Sequence, residues 1–197
     1  MYKIILLIIC LSVGITTFSQ IGSLPTFEYQ RIDYNKKGML LLGSWSATNI
    51  IVSAFASKTN NQQAHYFYNM NIMWNSVNLA LGTISYISAG KETTSNLTLN
   101  NVLNHQNKTE KIFLFNTGLD VAYVTAGFYL KERGNSNSNP LKLKGYGDAV
   151  VMQGGFLLLF DAIMYAVHNK HGKDLNKFTD KVQIISSPLG VTLAYNF

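Results

Sequence analysis

Residues 148–168 read DAVVMQGGFLLLFDAIMYAVH. This run of 21 residues holds no Lys, Arg or Pro, and its only acid beyond the first position is Asp161. As an α-helix rising about 1.5 Å per residue it reaches about 32 Å, the thickness of a bilayer's hydrocarbon core. Three further blocks share its character: Gly38–Ala56, Tyr66–Ala89 and Ile112–Leu130. None sustains the period-two alternation of a barrel strand. The pattern predicts an all-α membrane protein, a four transmembrane helix bundle over residues 38–168.

The flanks fit that expectation. Asn, Ser, Lys and Gly fill the connections at 57–65, 90–111 and 131–147, and the third carries the loop signal Gly134-Asn135-Ser136-Asn137-Ser138-Asn139-Pro140. Tyr66, Tyr68, Tyr86, Tyr129 and Tyr146 lie near block ends, where an aromatic belt forms. Placing Phe55 over Phe128 and Tyr86 over Tyr165 aligns the two halves, which suggests a two-plus-two bundle.

Composition narrows the class. Of the 197 residues 47% are hydrophobic and 13% charged, which excludes a disordered chain. The net charge of +6 comes from 16 basic and 10 acidic residues scattered over the polar connections. No basic cluster with interleaved aromatics forms a nucleic-acid footprint. The expected partner of these cations is the lipid bilayer, with a membrane protein or a second copy as a further partner. Cys10 is the single cysteine, so no disulfide framework or cysteine zinc cluster is available.

Residues 1–19 read as a secretory signal peptide. Lys3 supplies the charge, Ile4–Val13 the apolar stretch, and Thr17-Phe18-Ser19 the small residues of a cleavage site before Gln20. Residues 20–37 form a polar N-terminal tail and residues 169–197 a C-terminal tail. Within the latter, Leu189, Val191, Leu193, Tyr195 and Phe197 alternate with smaller or polar residues, a short strand pattern. A terminal aromatic also closes outer-membrane barrels, so the outer membrane is the alternative to the bacterial inner membrane. With the signal removed, ten cations fall outside (Arg31, Lys36, Lys37, Lys91, Lys108, Lys111, Lys170, Lys173, Lys177, Lys181). Five fall inside (Lys58, Lys131, Arg133, Lys142, Lys144), the reverse of the positive-inside rule.

Polar groups inside apolar blocks are costly and informative. Asp120 and Asp161 lie eight residues from Ile112 and seven from His168, at about equal depth, about 10–12 Å, in antiparallel helices. Two carboxyls facing each other in low dielectric do not both ionise readily, so one is expected to hold a proton. Asn116, Asp120 and Tyr123 share one helix face with Gly127; Asn71, Asn75 and Asn78 share another with Gly82. Gly154, Asp161, Tyr165 and His168 line the fourth block, and Asn49 with Ser46 the first. Such a stripe serves either as glue between helices or as a proton or ion path.

His65 and His168 fall at opposite ends of the bundle, so they do not share a haem. His105, His168 and His171 fall at one end, where a metal ion is conceivable, but no ligand spacing supports it. Trp45 and Trp74 read as packing residues. Asn96-Leu97-Thr98 and Asn107-Lys108-Thr109 match the glycosylation pattern by the abundance of Asn alone. No phosphate loop, nucleophile elbow or HExxH motif occurs, so neither an enzyme nor a cofactor is expected.

Three stretches carry a resemblance: 70–78 (MNIMWNSVN), 116–120 (NTGLD), and Gly145-Tyr146-Gly147 leading to 153–161 (QGGFLLLFD). Together they resemble an uncharacterised family of multi-pass membrane proteins from Bacteroidota, over roughly residues 30 to 170. The resemblance implies location and topology and assigns no site residue. The expected function is a non-enzymatic structural or interaction component of a membrane. The alternative is a small proton- or cation-coupled transporter or channel component using Asp120 and Asp161.

Overall fold

The computed structural model describes residues 23–92, 94, 97–136, 138–180, 182–187 and 190–195, with side chains described through Leu175. The signal segment 1–19 and the terminal Phe197 lie outside the described residues. Among the described residues four long helices follow one another: α1 (Leu24–Ala56), α2 (Gln62–Gly90), α3 (Leu99–Arg133) and α4 (Pro140–Asp180). A single 3₁₀ turn, Gly134–Ser136, continues from α3. Two strands close the chain, β1 (Val182–Ser187) and β2 (Gly190–Tyr195). They pair antiparallel, with Val182 opposite Tyr195 and Ser187 opposite Gly190.

Side-chain caps explain the helix starts. Ser23 Oγ accepts from the Thr26 amide at 3.4 Å, and Pro25 occupies the first turn of α1. Asn61 Oδ1 accepts from the Ala64 amide at 3.0 Å, and Thr98 Oγ1 from the Asn101 amide at 3.2 Å. Pro140 opens α4, where its missing N–H costs nothing.

Two polar stretches expected as tails are folded. Within 20–37, α1 begins at Leu24, because Phe27, Glu28, Arg31 and Ile32 recur at helical spacing and are buried. Within 169–197, α4 runs on to Asp180 before the hairpin. The connections also shrink, since α3 starts at Leu99 and α4 at Pro140.

Helix α1 packs along α2, and α3 along α4, as two hairpins; α4 then lies against α2. The backbones of α2 and α3 stay apart, and these helices meet through side chains, as where Trp74 lies edge-on to Tyr123. Glycines allow the closest approaches. A Cβ at Gly127 would lie 2.7 Å from Val151 Cγ2 and 2.8 Å from the Val151 amide nitrogen. A Cβ at Gly82 would lie 3.4 Å from the Met39 carbonyl. Small residues at helix contacts are how helices associate where hydrophobic attraction is weak. At the end of the bundle where α1 stops, Lys131 Nζ meets Asp148 Oδ1 at 2.6 Å, and Gln63 Nε2 donates to Asp148 Oδ2 at 2.9 Å.

Burial is inverted along the middle of the bundle. Ser46, Ser53, Asn71, Asn75, Asn78, Asp120, Gln153 and Asp161 are buried. Phe55, Leu40, Met73, Ile84, Phe115, Phe128 and Leu159 are exposed, Phe55 to 74%. Most of the buried apolar residues described fall in two clusters. Leu42, Phe113, Leu157, Phe160 and Met164 form one. Phe27, Val102 and Leu175 form the other, at the end where α1 begins.

Among the described residues two helices are long and apolar enough to cross a membrane, Leu24–Ala56 and the Pro140–Leu175 portion of α4. This is a narrower result than the four spans expected. Helix α2 carries Asn69, Asn71, Asn75 and Asn78, and the first turns of α3 carry Asn and Lys, which lowers their apolar average.

Candidate functional site

Most of the buried polar groups fall in three clusters at successive depths. The first is a carboxamide network joining α1, α2 and α4. Asn71 Nδ2 donates to Ser53 Oγ at 2.7 Å and to Asn49 Oδ1 at 3.1 Å. Asn71 Oδ1 accepts from Asn75 Nδ2 at 3.1 Å and from Gln153 Nε2. Gln153 Oε1 accepts from Trp45 Nε1 at 3.0 Å, and Trp45 stacks on Phe156 with centroids 4.0 Å apart. Asn78 Nδ2 is buried without a hydrogen-bond partner among the described residues. The expected cluster thus divides: Asn49, Asn71 and Asn75 are linked directly, while Asn78 stands apart from the bonds.

The second cluster is the acid pair. Asp161 on α4 faces Asp120 and Asn116 on α3. Both aspartates are buried, and Asp120 Oδ2 is without a hydrogen-bond partner among the described residues. Tyr123 does not join them; it is partly exposed and meets Trp74 edge-on at 5.0 Å. Tyr165 packs against the Phe113 and Phe160 cluster.

The third cluster lies where α1 begins. Glu28 is fully buried, and Arg31 Nε donates to its Oε2 at 3.0 Å while Nη2 donates to Oε1 at 2.7 Å. Arg31 Nη2 also reaches Glu92, and Nη1 donates to Thr109 Oγ1 at 3.1 Å. His105 Nδ1 lies 2.6 Å from Glu28 Oε1. Burial alone would raise the Glu28 carboxyl, but Arg31 and His105 outweigh it and hold it below the ordinary carboxylate value. Burial opposes the Arg31 charge in turn, and the two glutamates more than restore it. Both residues precede the uncharged stretch 38–56.

The three histidines at this end do not converge on one ion. His105 joins Glu28, whereas His168 stacks on Phe113 at 5.4 Å and His171 on Phe27 at 3.7 Å. Among the described residues the one set of ligand atoms within 4.8 Å of one another is Glu28, Glu92 and His105. The Arg31 guanidinium already bridges both carboxylates there and supplies the neutralising charge a metal would bring.

Gln153, Glu28 and Arg31 are buried centres that sequence reasoning missed. Gln153 had a signal: it sits eight residues before Asp161, on the same face of α4. Glu28 and Arg31 had a weaker one, an i, i+3 pair beside Phe27 and Ile32, hidden inside an apparent tail.

A helical bundle with apolar residues outward and a bonded polar interior defines the class. Within it, the match is to a family model described as Family of unknown function (DUF6992), over residues 41–162, and the chain belongs to that family. The matched span holds the carboxamide network and the acid pair and stops short of Glu28, Arg31 and His168. No curated protein and no solved structure matches the chain.

Proposed function

We propose that this chain is an integral membrane protein of four spans, acting as a non-enzymatic structural or interaction component. The inverted burial supports it best. A water-soluble bundle exposing Leu40, Ile51, Phe55, Met73, Ile84, Phe115 and Leu159 while burying eight polar residues would lose on both counts. In lipid the first cost disappears and the second shrinks: tails cover the apolar faces, and Asn49, Asn71, Asn75 and Gln153 bond one another instead of facing hydrocarbon. The carboxamide network is held by self-bonding, as in Asn71, which contacts four side chains across three helices. Its partners on this view are the bilayer and a membrane protein or second copy, and its home is the bacterial inner membrane. The test is separation of inner and outer membranes followed by alkaline carbonate washing. Retention in the washed inner membrane supports the proposal; release by the wash refutes it, and recovery in the outer membrane refutes the location.

A second proposal rests on the acid pair. The unpartnered Asp120 Oδ2 beside Asp161 suits a proton- or cation-coupled transporter or channel component. Asp120→Asn keeps a hydrogen-bonding group and removes the titrating one. Normal abundance with abolished proton flux in reconstituted vesicles supports coupling. Flux unchanged from that of the parent chain, or no flux in either, refutes it.

A further inference from the structure

The Glu28–Arg31 end encloses more than an ion pair. A cavity of about 620 Å³ lies among α1, α2 and α3, in the gap left because the backbones of α2 and α3 stay apart. Its walls change character along the helix axes. Arg31, Glu92, His105 and Lys108 line one end; Met39, Ile112 and Phe113 line the other. From Arg31 to Met39, and from His105 to Phe113, the distance is eight residues, about 12 Å of helix. Ser85, Ser88 and Asn35 lie among the lining residues, and Asn35 Oδ1 is buried without a partner among the described residues.

The charged end has donors to spare. A guanidinium offers five N–H bonds. Four of those on Arg31 are taken by Glu28, Glu92 and Thr109, leaving one on Nη1. Lys108 is exposed and has no ion pair among the described residues. These cations lie where the charged helix ends meet the exposed apolar belt of Ile84, Ile87 and Ile112, the depth at which phosphates sit in a bilayer.

We infer that this cavity seats one phospholipid, its phosphate against Lys108 and the free Arg31 N–H, and the start of an acyl chain along Met39, Ile112 and Phe113. The inference rests on the membrane proposal above. A charged-to-apolar wall over about 12 Å matches an amphiphile entering from the bilayer, and a small hydrophilic anion would leave the apolar half unfilled.

The experiment is native mass spectrometry of the full chain purified in mild detergent. A phospholipid-mass adduct is expected on the parent protein. Lys108→Glu is expected to reduce its retained fraction about tenfold or more, and Lys108→Arg to keep it. Ser85→Trp, filling the cavity from its α2 wall, is expected to remove it. Ser76→Trp is the control: it fills a separate groove of about 350 Å³ lined by Ile50, Leu79 and Ala80, and is expected to leave the adduct in place. Helical circular dichroism verifies that each variant folds, and Ser85→Trp decides the matter should Lys108→Glu fail to fold. The inference is overturned by a parent protein without adduct, by an adduct of inorganic phosphate mass, or by equal loss in Ser76→Trp and Ser85→Trp. A detergent-requiring chain without lipid sinks this inference alone. A chain recovered in the soluble fraction sinks the membrane proposal and this inference with it.

Discussion

Breaking the contact between Trp45 and Gln153 tests whether the carboxamide network holds helices together. Gln153 is fully buried, accepts from Trp45 Nε1 at 3.0 Å and donates to Asn71 Oδ1. Gln153→Leu removes both bonds and a longer one at 3.5 Å to Asn49 Oδ1, which keeps Asn71 Nδ2 as a donor. Asn71 Oδ1 keeps Asn75 as a donor, so the group orphaned outright is the Trp45 indole N–H. An unsatisfied buried donor costs about 1–3 kcal/mol. Interhelical hydrogen bonds within lipid are worth about 0.6 kcal/mol on average and reach about 1.7. The expected loss for Gln153→Leu is therefore about 2 kcal/mol. Trp45→Phe keeps an aromatic ring against Phe156 and orphans Gln153 Oε1, for about 1 kcal/mol. In the double variant neither partner remains to be orphaned. Its loss should fall short of the sum by about 0.6–1.7 kcal/mol. The assay is reversible unfolding in mixed micelles by added denaturing detergent, followed by helical circular dichroism. Losses that add to within about 0.3 kcal/mol would show that the two groups are not coupled. The network would then be incidental to helix association.

Gly127→Leu should destabilise the bundle by about 1–3 kcal/mol in the same unfolding assay, because its Cβ would sit 2.8 Å from the Val151 amide nitrogen. Gly118→Leu meets nothing within 4 Å and should change stability by less than about 0.5 kcal/mol; equal losses at both sites would refute the close α3–α4 contact. Glu28 titrates below its ordinary value in the folded chain, so its contribution is fully present above the unfolded carboxylate value and is lost as pH falls through the folded one. Acid titration of Glu28→Gln should therefore show a shallower loss of stability than the parent, and a parallel curve would refute the assignment. Lys131→Ala removes the 2.6 Å pair with Asp148, but that pair is partly exposed and Gln63 still holds Asp148. Its expected cost is under about 1 kcal/mol by thermal melting, and a larger loss would show that the clasp organises its end of the bundle.

Much of this architecture is legible in the linear chain. Runs without Lys, Arg or Pro as long as 148–168, spaced by Asn- and Lys-rich connections, leave helices as the structure able to satisfy every backbone group locally. Periodicity also places Asn71, Asn75, Asp120 and Asp161 on shared helix faces, because residues three and four apart stack on one side. Tertiary structure alone decided which faces meet. Helix α4 lies between α2 and α3, so Gln153 reaches Asn71 and Asp161 reaches Asn116, whereas Tyr123 turns to Trp74. Local periodicity carries no record of which helix lies across from which. The burial of Glu28 and Arg31 was equally hidden, since a charged pair in a polar stretch reads as solvated until Glu92, His105 and Thr109 arrive from distant parts of the chain. The cavity beside them exists for the same reason, because the gap between α2 and α3 is a property of packing and no single helix contains it.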